Sequence, residues 1–248
     1  MTSTSETGHG KNVANLRDLI SYIIGYGEAY NPTKPSIRLT AMQALLVLAI
    51  NAIDLVNSLF PAYKNAVAAR EAAFAPLSKF ITRVLSALKA TDTTDQVDEN
   101  AKTFARKIQG TRATAKRTEA EKEADAASGK EVVEISSSQM SYDSRLGNFD
   151  KLIKLLASIT LYAPNEEDLK VTALTALFND LTLKNSAVIT AATPLSNARI
   201  SRNDILYKAN TGLVDIALDA KTYIKSVYGA TSPQYKQVSK LDFTAVKV

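Results

Sequence analysis

The sequence predicts an all-α protein: an internally duplicated helical bundle, its two halves related by a pseudo-twofold axis, with long, proline-bent central helices. Three observations predict it. Apolar residues recur at spacings of three and four, the period of a helix face, and not at two. Glycine and proline, which punctuate strands and turns, number only 9 and 7 in 248 residues. A block near the start is also written again, position by position, later in the chain.

Taken in order, residues 1–10 (MTSTSETGHG) carry no apolar periodicity and are expected to form a disordered tail. A first helical repeat is placed at 11–109. It opens on an amphipathic helix with Val13, Leu16, Leu19, Ile20 and Ile23 on one side. A shift of 133 positions gives Leu146, Phe149, Leu152, Ile153 and Leu156, all apolar, and aligns Asn15 with Asn148. Each first helix should stop at similar punctuation, Tyr30-Asn31-Pro32 and Tyr162-Ala163-Pro164, because proline disfavours helix at the residue before it. Ile37-Arg38-Leu39-Thr40-Ala41 then matches Leu169-Lys170-Val171-Thr172-Ala173, and Asn65-Ala66 and Arg70 match Asn197-Ala198 and Arg202.

A strong helix is expected from Ser36, read as its N-cap, to about Leu59. Pro61 and Pro76 should kink or restart it, and Pro194 holds the equivalent place in the second half. On a wheel of 100° per residue, Thr40, Gln43, Asn51, Asp54 and Ser58 fall within an arc of about 80°. The remainder is Leu, Ile, Val and Ala, so this helix is expected to be buried on most sides. Thr172, Thr175, Asn179, Thr182, Ser186 and Thr190 form the equivalent stripe, expected to face neighbouring helices or water, with a ligand or partner groove as the alternative. Residues 110–141 read as a charged linker: basic to Arg117, then rich in Glu, with no recurring apolar position over Gly110–Ala127. The second repeat is placed at 142–248, and the two repeats are expected to share one core, because their apolar faces are too broad to be covered alone.

The composition excludes several classes of chemistry. There is no Cys and a single His, His9, so cysteine nucleophiles, Cys-rich zinc sites and iron–sulfur ligation are absent. No Glu-x-x-His pair exists, which excludes a di-iron carboxylate bundle. Gly8-His9-Gly10-Lys11 is not a phosphate loop: Ser5 stands at the glycine position, and Asn12 follows the lysine where Ser or Thr is needed. Glu166-Glu167-Asp168 is accounted for by placement at a helix start, where acids favour the positive end of the dipole. No enzyme activity, catalytic residue, cofactor or metal is therefore expected.

The function expected is that of a non-enzymatic structural or adaptor protein acting through protein–protein contacts, including contacts with its own copies. Asn65, Arg70, Asn197 and Arg202, matched between the halves, are the candidate partner contacts. Two alternatives come from other classes. A pore-forming-like protein would release the apolar helix Leu39–Leu59 into a membrane, although its apolar run is interrupted at Asn51 and Asp54. A nucleic-acid accessory protein would use the basic segment 102–117, with Lys102, Arg106, Lys107, Arg112, Lys116 and Arg117. That segment carries one aromatic, Phe104, and is followed by acids, while the whole chain has a net charge of only +5. Neither nucleic acid, membrane nor a small-molecule substrate is the expected partner. The start of the chain lacks a basic region followed by an apolar one, so a cytoplasmic address is expected, with export by an uncut route left open.

Overall fold

The computed structural model describes residues 7–111, 128 and 140–245, and among these every regular element is helical. The α-helices are α1 (Thr7–Tyr26), α2 (Leu39–Phe74), α3 (Leu77–Lys89), α4 (Asp95–Gln109), α5 (Tyr142–Ala157), α6 (Val171–Tyr207), α7 (Leu213–Tyr228) and α8 (Pro233–Ser239). Short 3-10 turns at Pro35–Ile37 and Glu167–Leu169 precede the two long helices, α2 and α6.

The chain divides into two compact units: residues 1–64 with 191–248, and residues 65–190. The divisions fall inside α2 and α6, so each unit is assembled from segments on both sides of the 110–141 stretch. In the first unit, α1 packs on α7 and α8, and the Pro35–Ile37 turn packs on α7. Its core holds Leu16, Leu19 and Ile23 of α1 together with Leu213, Ile216, Ala217 and Ile224 of α7. A smaller cluster in the same unit joins Val56 of α2 to Leu195 and Ala198 of α6. In the second unit, α4 packs on α3 and α5. Leu77, Ile81, Val84 and Leu88 of α3 and Ala101, Ala105 and Ile108 of α4 meet Phe149, Leu152 and Leu156 of α5. The alanines let α5 come close, and each Leu, Ile or Phe fully removed from water contributes about 1.5–3 kcal/mol.

The helix ends follow local chemistry. Ser141 and Ser232 cap α5 and α8, their hydroxyls accepting from Ser144 N and Tyr235 N at 3.1 Å each. Pro233 occupies the first turn of α8, where a missing N–H costs nothing. α4 ends at Gly110 with φ +71°, and Thr111 N donates to Arg106 O at 3.0 Å, a Schellman stop that favours glycine. Gly212, between α6 and α7, has no room for a side chain: a Cβ there would lie 2.6 Å from Lys208 N.

Four local expectations are corrected. Helix begins at Thr7, so Thr7–Gly10 belong to α1 and not to a disordered tail; residues 1–6 lie outside the described residues. Ser36 is not an N-cap. It sits in the Pro35–Ile37 turn, its hydroxyl has no hydrogen-bond partner, and α2 starts at Leu39 with Met42 N bonded to Arg38 O at 3.0 Å. Pro61 does not end the helix, and Pro194 likewise lies inside α6. Each deprives the carbonyl four residues earlier, at Asn57 and Thr190, of its donor, but both of those residues are exposed and water can satisfy them. Only Pro76 breaks the helix, between α2 and α3. Finally, α2 is not buried on most sides: Val47, Leu48 and Leu55 are 56%, 54% and 49% exposed.

Candidate functional site

The four candidate partner contacts separate into two kinds. Asn65 and Asn197 are exposed, whereas the arginines serve the interior. In the second unit, the Arg70 guanidinium lies 3.9 Å from the centroid of the Tyr142 ring. Its Nη1 donates to Asn185 Oδ1 at 3.1 Å, and buried Asn185 in turn donates from Nδ2 to Asp143 Oδ1 at 2.7 Å. A cation stacked on a ring and tied through an amide to a carboxylate is a fixed lock between α2, α5 and α6. Arg202, in the first unit, is only 4% exposed, and its Nε and Nη2 donate to Asn203 Oδ1 at 3.1 and 2.9 Å. Both arginines thus make internal hydrogen bonds: matched positions in sequence carry no information about which way the side chains face.

The polar residues that matter most inside each unit had no sequence signal. Arg145 donates from Nε to Ile108 O at 3.0 Å and from Nη2 to Phe74 O at 3.5 Å. It thus sits on carbonyls at the C-terminal ends of both α2 and α4, where a cation meets the negative end of two helix dipoles. Burial lowers its pKa, with the nearby Tyr142 acting in the opposite direction. In the first unit, Lys221 donates to Leu241 O at 2.7 Å beyond the end of α8, and burial lowers its pKa as well.

His9 is buried, and its Nδ1 lies 2.6 Å from the Tyr207 hydroxyl. Asn12, 1% exposed, pairs with the backbone of Thr244: Nδ2 donates to Thr244 O at 2.8 Å, and Thr244 N donates to Oδ1 at 3.2 Å. Asn15 Nδ2 donates to Asp242 O at 2.6 Å. These bonds fasten the C-terminal segment to α1. Together with the His9–Tyr207 contact they tie α1 to the C-terminal part of the first unit. Among the described residues no group of three or more His, Asp or Glu is placed to hold a metal.

What the first unit does present is an apolar helix face. Ala44, Leu48, Asn51, Leu55 and Ser58 of α2 are all exposed, and they alternate in steps of four and three. That spacing averages 3.5 residues, which keeps a stripe on one side of a helix and is the spacing of a coiled-coil seam. Val47 lies beside it, more than half exposed. The polar stripe read from the sequence is interleaved with this face: Thr40, Gln43 and Asp54 are exposed with it. In the second unit, Thr172, Thr175, Asn179, Ser186 and Thr190 of α6 are exposed too, beside Leu183 at 70% and Ile189 at 59%.

The helical stretch Leu39–Lys89 contains an 18-residue window long and apolar enough to cross a membrane by length and composition, and only 22% of that window is buried. The absence of uninterrupted apolar runs in the sequence had argued against such a span; isolated polar residues do not break a window in a continuous helix. Of the basic segment, Lys102, Arg106 and Lys107 lie on α4, while Arg112, Lys116 and Arg117 lie outside the described residues. Lys102 and Arg106 are already paired with Glu99, at 2.8 and 3.1 Å. Those pairs hold the Glu99 carboxyl below its usual range, the hydrogen bond from Lys102 being the largest cause.

Comparison with protein-family models, with curated proteins and with solved structures gave no match to this chain.

Proposed function

We propose that this is a non-enzymatic structural protein that assembles with its own copies through the exposed face of α2. One observation carries the reading: Leu48 and Leu55, each about half exposed, stand on a stripe of coiled-coil spacing with Ala44, Asn51 and Ser58. Apolar side chains gathered on one face mark an interaction site more often than scattered ones. The experiment is the solution mass of the full chain, by chromatography with light scattering, beside the variant Leu48→Glu/Leu55→Glu. Assembly gives a parent mass above 26.8 kDa that collapses toward 26.8 kDa in the variant. The circular dichroism of the variant should match the parent, because both positions face water. A parent that stays at 26.8 kDa at every concentration overturns the reading.

A second reading, insertion of the same helix into lipid, is favoured by the poorly buried apolar window in Leu39–Lys89. It predicts dye release from vesicles by the monomeric parent, abolished in the same variant.

The finer architecture also belongs to this proposal: two duplicated halves about a pseudo-twofold axis. Matching details support it. The Tyr30 hydroxyl donates to Ile37 O at 2.7 Å and the Tyr162 hydroxyl to Leu169 O at 2.8 Å, each across seven residues. Each of these turns then leads into a long helix with an internal proline. Such a body presents two related long helices, which suits repeated assembly.

A further inference from the structure

We infer that the two halves of the chain, 7–111 and 140–245, are ligands for one another, and that a second copy of the chain can supply either half. Neither half contains a complete core. In the first unit, Leu16 and Leu19 from the N-terminal half are covered by Ile216 and Ile224 from the C-terminal half. In the second, Ile81 and Ile108 from the N-terminal half are covered by Phe149 and Leu152 from the other. Even the small cluster around Val56 is completed by Leu195 and Ala198. A half by itself would expose the apolar faces that these clusters bury, so its association with the other half supplies the burial that folds it.

Described contacts also hold the two halves together where the covalent connection leaves one and enters the other. The chain leaves α4 at Gly110 and returns at Met140, whose sulfur packs against Gly110. Arg145 then bonds Ile108 O, holding α5 to the end of α4. A covalent connection of this kind sets the effective concentration of one half around the other. Where a tether is broken, the matching half of another molecule offers the same faces, which is the logic of domain exchange. The inference holds whatever partner the α2 face takes, since it concerns the interior of each unit.

The test uses the full chain with a protease recognition sequence inserted between Thr111 and Arg112, cut after purification. The cut protein is expected to keep the solution mass of the uncut one on chromatography with light scattering. Its urea midpoint should fall on dilution, each tenfold step costing about 1.4 kcal/mol, while the uncut protein does not respond in that way. Unfolding cut protein together with a mass-tagged cut copy and refolding the mixture should give hybrids of tagged and untagged halves. Separation of the two fragments on the column, folded or unfolded, overturns the inference. So does a midpoint indifferent to dilution, which would mean that each half folds alone, and so does the absence of hybrids.

Discussion

The two units solve one packing problem with different polar fastenings. The first holds its ends together with side-chain amides: Asn12 and Asn15 of α1 reach the backbone of Thr244 and Asp242, and Lys221 takes the carbonyl of Leu241. The second relies on guanidinium groups: Arg145 on the carbonyls of Phe74 and Ile108, and Arg70 between Tyr142 and Asn185. The apolar parts are alike, helices with one face of Leu, Ile, Val and Ala folded inward. The helical period thus sets which faces meet, and the polar groups are fitted afterwards to whatever carbonyls each unit leaves open. Asn15 and Asn148, aligned in sequence, make the point: Asn15 reaches across to Asp242, whereas Asn148 turns back onto Ser144 O of its own helix.

The likeness of the cores is open to the strongest test. Phe149 and Leu16, both 0% exposed, sit in the middle of the second and first cores. Phe149→Ala should cost about 3–5 kcal/mol and Leu16→Ala about 2–5 kcal/mol, the lost burial plus the cavity left behind. Urea titration followed by circular dichroism measures both. A cost below about 1 kcal/mol at either position would mean that the unit concerned collapses around the hole, and the comparison between equally packed cores would fail.

The next test concerns the difference, and its effects are smaller. Asn185→Ala in the second unit removes the amide joining Arg70 to Asp143, and Asn12→Ala in the first frees the backbone of Thr244. Each leaves polar partners unmet, at about 1–3 kcal/mol. The two should also separate by hydrogen exchange. Asn12→Ala should speed exchange of the Thr244 amide, which Asn12 accepts, while Asn185→Ala should leave that amide unchanged. Equal acceleration in both variants would show that the fastening of the C-terminal segment does not depend on Asn12.

The apolar framework was legible in the sequence and the polar framework was not. All ten positions read from the three-and-four spacing, from Val13 to Ile23 and from Leu146 to Leu156, are buried at 7% or less. Spacing alone fixes which side of a helix is apolar, and a helix with one apolar side turns it inward. The glycine that ends α4 is likewise a local feature, its left-handed conformation being a property of one residue, although the sequence was read there only for a change of composition. Arg145, Asn12 and Asn185 left no trace because each answers a carbonyl or side chain at least 37 residues away. Of the candidate contacts, Arg70 and Arg202 were picked for their matched positions, a criterion blind to burial. The exposed face of α2 was missed for a related reason: with apolar residues nearly all round, the wheel could not say which of them the fold leaves uncovered.

The smallest expected effect concerns a tyrosine fastening that both units have. Tyr30 and Tyr162 are both buried, and each donates its hydroxyl to a carbonyl seven residues on. Burial raises both phenol pKa values. The neighbouring Tyr223 adds to the rise at Tyr30, and Asp168 and Glu166 add to it at Tyr162, which is pushed up to about 12. In the unfolded chain a tyrosine releases its proton near its ordinary value of 10.0. Above that pH the folded state holds more protons than the unfolded one, so stability must decline as pH rises. The contribution from Tyr162 is whole below pH 10 and fades between pH 10.0 and about 12. Tyr162→Phe should therefore cost about 1 kcal/mol at neutral pH, for the lost hydrogen bond, and should flatten the alkaline decline relative to the parent. Tyr30→Phe should do the same in the first unit. Urea midpoints of parent and variants across the alkaline range provide the check. A decline that persists unchanged in Tyr162→Phe while Tyr30→Phe flattens it would show that only the first unit keeps its phenol protonated, and that the two hydroxyls, alike in geometry, differ in the water they meet.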